Sequence, residues 1–318
     1  MGAPITTSSW PEFMEKLEDI TKQGLDNLAS TDEYKLYMDD LGKAKMVTER
    51  MQDIEPMGVM GRWYENTVRP QVRIHPGYAH LISQKEFASE VRVTKKMQRA
   101  QQFDVAAECA RQMKMQPSWT KNVLYANYLA LGDVATSSIP TVNGVPVIHT
   151  DCPDGNPMFD TAHTWRSGGA TWANHTTGTT TISESALNTI NVTVKRYKNS
   201  QGLYLDGSLK TLFIPPDLET IARWTLESKL DPLTANNRVN IANSFLPGGV
   251  KVLKYLESTT EWFLETNLKG KPIMKHLWEP EVGRRGPETD TAGNYAIFID
   301  YCVGDTAPIH AHGLYKVG

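Results

Sequence analysis

The sequence predicts an α+β protein in which a mixed core carries two extensions with little core of their own. Three observations predict it. Residues 9–52 repeat apolar side chains at helical spacing, residues 55–93 carry a proline-punctuated alternation of apolar and polar residues, and residues 182–301 alternate helix-like with strand-like runs. At roughly 100–200 residues per domain, 318 residues make two lobes or one large irregular domain. Hydrophobic residues are 40% and charged residues 22%, which is globular usage and excludes a disordered or collagen-like chain.

The N-terminal arm comes first. Ser9 is placed to cap a helix, Pro11 sits in its first turn, and Glu12 completes a capping-box pattern. Phe13, Leu17, Ile20 and Leu28 then recur on one face, and a second helix is expected from Asp32 to about Gln52 through Tyr34, Met38, Leu41, Lys45 and Val47. The start is not a cationic segment followed by an apolar core, so no secretory signal is expected. Met1-Gly2 is followed by Pro4 and Ile5 without a basic cluster, which argues against a lipid anchor. No stretch approaches the ~18 consecutive apolar residues of a membrane helix, and the expectation is a soluble chain made in the cytosol. Cys109, Cys152 and Cys302 are too few and too scattered for a disulfide framework, which points to a reducing compartment.

Residues 55–93 cannot form a long helix, because Pro56, Gly58, Gly61, Pro70, Pro76 and Gly77 interrupt them. Val68, Pro70, Val72 and Ile74 alternate with Arg69, Gln71, Arg73 and His75, which predicts a strand with one polar face. A returning strand is expected over Phe87–Val93, with Phe87, Val91 and Val93 opposing Glu86, Glu90 and Arg92. The two make a long hairpin with His75 and His80 near its tip, and a proline inside the strand points to a sheet edge or an isolated ribbon rather than a sheet centre. Such a ribbon is marginal alone and needs a surface to lean on.

Helical spacing returns from Val93 to about Met113 through Met97, Ala100, Phe103, Ala107 and Ala110, closed by Pro117. Another apolar helix is expected over Trp119–Leu131, then a loop-rich stretch over 133–181 that holds short strands or a contact. Ser183 starts the next helix, Thr211–Ile214 is a strand, and Pro215-Pro216-Asp217 opens a helix through Leu226. Strand-like runs follow at Val250–Leu256, Trp262–Leu264 and Tyr295–Tyr301.

Chemistry-bearing motifs are scarce. Gly270-Lys271 runs into Pro272 and is no phosphate loop, and there is no G-x-G-x-x-G, G-x-S-x-G, H-E-x-x-H or C-x-x-C. His149-Thr-Asp-Cys152 with His163 is the best catalytic candidate, since a thiolate beside an imidazole and a carboxylate is what nucleophilic catalysis requires. Pro153-Asp154-Gly155 makes Cys152 a turn residue, however, and a plain buried thiol is the stronger reading. His310-Ala-His312 suggests a metal pair only if ligands accompany it. None stands at ligand spacing, so two solvent-facing histidines are expected. No catalytic residue, cofactor or metal is therefore expected, and a cysteine hydrolase using Cys152 with His149 or His163 is kept as a remote alternative.

Net charge is −3, from 33 Lys+Arg against 36 Asp+Glu, so nothing in the balance asks for nucleic acid or membrane as the main partner. Its distribution is uneven. Residues 1–50 hold ten Asp/Glu and six Lys/Arg, whereas residues 51–100 hold eight Lys/Arg and five Asp/Glu. The ribbon's basic face is read as a contact with the acidic arm of another chain, with a solvated strand face as the plain alternative. Trp63, Arg69, Arg73, Glu86, Glu90 and Arg92 are the candidate inter-subunit contact residues.

An arm, a long ribbon, a long helix and an α/β core, in that order, resemble the major capsid protein of tailed phages, the HK97-like shell fold also seen in encapsulins. The second half resembles the Mu-type major head subunit branch. Asp154-Gly155 with Met158-Phe159-Asp160-Thr161-Ala162-His163 and Asn174 is similar to that branch's Asp-Gly…Leu-Phe-x-Thr-x-His segment. Ser183–Leu187, Leu212-Phe-Ile-Pro-Pro-Asp-Leu-Glu219 with Ala222 and Leu226-Glu-Ser228, and Glu261-Trp-Phe-Leu264 are similar to its helix start, strand with double proline and helix, and late strand.

The resemblance implies an N-terminal arm over 1–54 and an extended E-loop over 55–93. A peripheral domain with a spine helix follows over 94–181, and an axial domain returning to the peripheral domain over 182–318. It further implies a non-enzymatic major head protein that self-assembles as pentamers and hexamers into an icosahedral shell around double-stranded DNA, bound non-specifically. A scaffolding protein, a portal and cement or decoration proteins are the implied partners. The implied location is the virion capsid, reached from the host cytoplasm. An encapsulin-like nanocompartment shell is the nearest alternative. Some relatives weld their shells through an E-loop lysine, but residues 51–84 contain none, so a non-covalent shell is expected.

Overall fold

The computed structural model describes residues 10–25, 32–71, 74–100, 102–142, 145–178, 180–228, 240–286 and 293–318. Its first element, α1 (Trp10–Leu25), follows the apolar spacing and buries Trp10, Met14, Leu17 and Thr21 on one face. Ser9 and Leu28 lie outside the described residues.

The next stretch departs from expectation. In place of a helix to Gln52, a single tight turn at Glu33–Leu36 leads into β1 (Asp39–Lys43) and β2 (Thr48–Ile54). Tyr34, Tyr37 and Met38 are buried as a helical stripe would be, yet their apolar run ends there. From residue 48 onward burial alternates at the period of a strand. Gly42, at φ 74°, turns the chain where a helix would have continued.

β3 (Pro76–Val93) is an 18-residue strand that changes partner midway. Its first part pairs antiparallel with β2, from Ile54↔Pro76 to Thr48↔Ser83. The hairpin therefore exists, but its first leg is β2 and not residues 68–75. Residues 55–75 form an extended connection with no strand among its described residues; Val72 and Arg73 lie outside them. Glu55 N–H donates to the His75 carbonyl (3.1 Å), and beyond that bond Pro56 and Pro70 have no N–H with which to continue a ladder. His75 thus stands at the ribbon's base and His80 inside β3, its Nε2 2.9 Å from Thr306 Oγ1; neither is at a tip.

The expected continuous helix is also broken. α2 (Lys95–Arg99), capped by Thr94 Oγ1, stops before α3 (Phe103–Met113), because Gln102 adopts ψ 56° and turns its N–H to the Met97 carbonyl. The break lets α3 lay Ala106, Ala110 and Met113 against α1. Pro117 does not close a helix but sits in the first turn of α4 (Gln116–Ala130), where its missing N–H costs nothing. The loop-rich stretch holds three two-residue strands, β4 (Thr141–Val142), β5 (Val145–Pro146) and β6 (His175–Thr176).

The second half follows its sequence signals, except that the strand expected over Val250–Leu256 ends at Val252 and the one expected over Tyr295–Tyr301 runs on to Thr306. α5 (Glu184–Lys195) is capped by Ser183 Oγ, which accepts from Ala186 N–H (3.2 Å). β7 (Leu209–Ile214) runs through the double proline into α6 (Glu219–Glu227). Then come α7 (Ala242–Phe245), β8 (Val250–Val252), β9 (Trp262–Thr266), β10 (Ile273–Arg285), β11 (Tyr295–Thr306) and β12 (Leu314–Val317). β10 carries no sequence signal, since its alternation is scrambled by register shifts at 276–278 and 278–281.

Two five-stranded sheets result, ordered β1-β10-β11-β3-β2 and β6-β12-β9-β7-β8. The main core lies around the second sheet, with Tyr125, Tyr128, Phe159, Phe213, Trp262 and Phe263. A smaller core holds α1 and α3 against Val93, Ile297 and Ile299 of the first sheet. β11 and the inner part of β3 pair without interruption from Tyr295↔Val93 to Asp305↔Ser83, and Phe87 stacks on Tyr301 (5.1 Å).

Asp305 joins these parts. Its buried carboxylate accepts from Lys85 Nζ (3.1 and 3.3 Å) on β3 and from Tyr128 OH (2.6 Å) on α4, while Lys85 also donates to the Val147 carbonyl (2.8 Å). Replacing Asp305→Ala leaves the part-buried Lys85 ammonium without its counter-ion and the buried Tyr128 phenol without its acceptor. The expected cost is about 3–5 kcal/mol, read by urea unfolding; a change within ~0.5 kcal/mol would show the carboxylate to be dispensable.

Candidate functional site

Among the described residues, the connection over 55–75 and its entry leave a run of apolar side chains in solvent. Ile54, Met57, Val59, Met60, Val68 and Ile74 are all exposed, Met60 at 93% and Val68 at 88%. The expected alternation has no sheet to sort it into faces, so these side chains stay in solvent. The connection nevertheless has shape. A Cβ on Gly61 would lie 2.9 Å from Pro70 Cβ, so its two limbs touch.

The far end is a built turn. Thr67 N–H and Oγ1 both donate to the Tyr64 carbonyl, Asn66 takes φ 62°, and Trp63 Nε1 donates to the Thr67 carbonyl (2.8 Å). Arg62 lies 4.9 Å from the Tyr64 ring centroid and Arg69 5.9 Å from that of Trp63. Two exposed aromatic–arginine pairs on a fixed turn are the composition of an interface anchor.

The base is fixed to the body by polar groups. Glu55 is buried and accepts from Ser167 N–H (3.0 Å) and, closely, from Ser167 Oγ. Arg166 donates to the Gly77 carbonyl (2.9 Å), and Asp53 faces His310 Nε2 at 3.3 Å without hydrogen-bond geometry. Behind them lies a stack of rings. His163 stands 4.3 Å from Trp172, Trp172 3.7 Å from His312, and Trp165 4.4 Å from His310. His310 and His312 are therefore largely buried, in a segment outside any strand, and not solvent-facing as the sequence suggested. The nearby turn at Gly270 requires glycine, since a Cβ at its φ of 123° would lie 1.8 Å from the His310 carbonyl oxygen.

The contact residues expected from sequence separate into two places. Trp63 and Arg69 share the turn of the connection, while Arg73 lies outside the described residues. Glu86, Glu90 and Arg92 sit instead on the inner part of β3, opposite Cys302, Phe298 and Ala296. There Arg92 Nε donates to Glu90 (2.6 Å), and Arg285 lies 3.6 Å from the same carboxylate. Sequence reasoning missed Met57, Val59 and Met60, whose signal was apolar residues inside a glycine- and proline-broken stretch. It also missed Glu55, which has no signal outside the fold.

The thiol candidate is resolved by geometry. Cys152 is buried near Asp154 and His163, whereas His149 lies apart from this group. His163 turns Nδ1 to Asp154 Oδ2 (2.8 Å) and Nε2 to the Met158 carbonyl (3.3 Å), so both ring nitrogens are engaged with oxygens and neither is hydrogen-bonded to the thiol. Burial, with Asp154, Asp151 and Asp160 adding to it, pushes the Cys152 thiol well above its ordinary value. This is not an activated nucleophile.

No protein-family model matches the sequence, and no curated protein matches it. Solved structures do. A structure from Microbacterium phage Oxtober96 aligns with a TM-score of 0.52 at 10% identity, over 90% of this chain and 90% of that one. The capsid of a native GTA particle gives 0.52 at 11% identity over 90% and 89%. The capsid of the cyanophage P-SCSP1u gives 0.51 at 10% identity over 88% and 85%. The fold of this chain is the HK97-like capsid fold.

Titration at the ribbon's base has a definite sign. Burial, with His149 adding to it, lowers His80 to about 4, and burial also lowers His149, His310 and His312. These imidazoles are neutral when folded and protonate more readily when unfolded, so stability falls as pH drops below the ordinary value of about 6.5. Burial raises Glu55 and Asp154, but hydrogen bonds from Ser167 to the first, and from His163 with backbone N–H groups to the second, outweigh it and hold both below the ordinary range. Their contribution is present above about 4 and is lost as pH falls through the lowered values. Amide exchange over 76–82 and 163–172 should therefore lose protection steadily from about pH 7 to 4, and Glu55→Gln should weaken it even at neutral pH. Protection unchanged across that range would contradict the assignment.

Proposed function

We propose that this chain is the major capsid protein of a tailed bacteriophage, of the Mu-type head subunit branch. It assembles as pentamers and hexamers into an icosahedral shell around double-stranded DNA. The observation that carries this reading is the pairing of an HK97-like fold with a 55–75 connection whose apolar side chains are left exposed among the described residues. A surface of this kind finds its burial on a neighbour, and head-to-tail contacts that close by rotation make rings.

In this reading residues 1–54 act as the arm and 55–93 as the extended loop. Residues 94–181 form the peripheral domain, and 182–318 the axial domain with its return. Trp63, Arg69 and Arg73 lie against a neighbouring copy, with the aromatic side chains supplying burial and the arginines the register. Glu86, Glu90 and Arg92 form a second contact on the sheet. A scaffolding protein, a portal and cement proteins complete the particle, and its DNA is held through many weak, sequence-independent contacts. Copurifying DNA supports the phage reading; a cargo enzyme on the inner surface would favour a nanocompartment.

The double variant Arg69→Glu, Arg73→Glu should leave the chain folded while lowering particle yield at least tenfold, measured by light scattering on a sizing column and by negative stain. Normal particles from it would remove the ribbon from the contact.

The shell of this proposal is non-covalent. Residues 51–84 hold no lysine, and the next in sequence, Lys85, is already tied to Asp305. Denatured particles should therefore run as a single band at 35.6 kDa; a ladder of multiples would refute a non-covalent shell.

A further inference from the structure

Cys152, Asp154 and His163 bring a sulfur, a carboxylate oxygen and a ring nitrogen to one point, all within 4.8 Å of one another. All three side chains are nearly inaccessible, with His163 at 1% and Asp154 at 4%. The loop that carries them is tightly formed. Cys152 N–H donates to the Asn156 carbonyl (2.8 Å), Gly155 N–H to the Cys152 carbonyl (2.9 Å), and Asn156 N–H to Asp154 Oδ1 (3.1 Å).

The hydrogen bonding of His163 has more acceptors than a neutral ring can serve. Its Nδ1 faces Asp154 Oδ2 and its Nε2 faces the Met158 carbonyl, but a neutral imidazole carries one N–H. With the proton on Nδ1 the ring donates to Asp154; with the proton on Nε2 it donates to Met158 instead, and Nδ1, the Asp154 carboxylate and the Cys152 sulfur then face one another as three electron-pair donors that a cation would hold together. An imidazole whose far N–H is fixed by a backbone carbonyl is the arrangement in which histidine ligates metals. The Met158 carbonyl is itself held by Asn174 Nδ2 (2.8 Å), which also donates to the Ala311 carbonyl (2.8 Å). Asp151 and Asp160 add further negative potential around the thiol.

We propose that Cys152, Asp154 and His163 bind one divalent cation of the zinc class. A sulfur, a nitrogen and an oxygen donor at one centre suit zinc, while calcium and magnesium take oxygen ligands. Three protein ligands leave a fourth tetrahedral position for water. Binding releases the thiol proton to solvent and sets the thiolate and carboxylate against the ion's two charges, so the neutral assembly is easier to bury than either group alone. The ion pins the 152–163 loop, which through Asn174 and Trp172 holds the segment 310–312 beneath the ribbon's base. Because the ligands are buried, the ion enters as this loop closes during folding.

The test is elemental analysis of the full chain produced in zinc-supplemented medium and purified under reducing conditions. It is paired with the absorption spectrum of chain produced with cobalt as the probe. One zinc per chain is expected, with a thiolate-to-cobalt charge-transfer band in the cobalt form. Cys152→Ala should lose the band and lower metal content by at least the roughly 10–100-fold seen when even an outer partner of a ligand is removed. Cys109→Ala and Cys302→Ala should keep both. His163→Gln is a second test if it folds; Cys152→Ala removes one atom from a small side chain and carries the result if it does not. Metal well below one per chain in the wild type, or metal retained in Cys152→Ala, overturns the site.

Discussion

The pairing of Asp305 with Lys85 and Tyr128 is the interaction on which the arrangement of this chain turns. Lys85 stands two residues past Ser83, the position where β3 exchanges β2 for β11 as its partner. On one side of that point β3 belongs to a ribbon, and on the other to a sheet with a helix-covered face. Asp305 lies at the matching end of β11, where the chain leaves the first sheet for the histidine segment and β12. A buried carboxylate is costly unless fully paired. Here an ammonium and a phenol pair it, so the ribbon, α4 and the crossover between sheets are fixed together.

The loop-rich stretch between α4 and α5 shows how a chain orders itself with little secondary structure. Its side chains take over the work of a ladder. Thr136 and Thr150 bond across the stretch, with Thr150 Oγ1 donating to the Val134 carbonyl (2.6 Å) and Thr136 Oγ1 accepting from Asp151 N–H (2.9 Å). Asn174 serves three carbonyls, and Trp165 Nε1 and Tyr197 OH each find one more. Every buried donor needs an acceptor, and a segment dense in Asn, Asp and Thr supplies them locally. This framework carries both the anchor of the ribbon's base at Ser167 and the thiol–imidazole cluster.

The ribbon itself has the opposite character. Its base is tied by Glu55 and Arg166, while its far end is stiffened by the Trp63–Thr67 turn. Stiffening an exposed aromatic end lowers the entropy that binding must overcome. The economy of the molecule is therefore divided between a body that pairs most of its buried polar groups internally, Trp172 Nε1 and Tyr125 OH being exceptions, and a projection that leaves apolar area for another surface.

What the sequence alone determined is local. The Ser183 cap, the double proline before α6, the apolar stripe of α1 and the alternation of Phe87–Val93 each act within a few residues, and each element stands where those residues place it. The order of elements was also legible, and with it the HK97-like likeness. Tertiary structure decided the rest. Residues 39–43 and 48–54 became strands because β10 and β3 offered their backbones, and the described residues of 68–75 stayed outside any strand. Likewise, His310 and His312 were buried by Trp165 and Trp172, more than a hundred residues away. A strand's partner, unlike a helix's, lies outside its own sequence, and so does the neighbour that makes a histidine a core residue rather than a surface one.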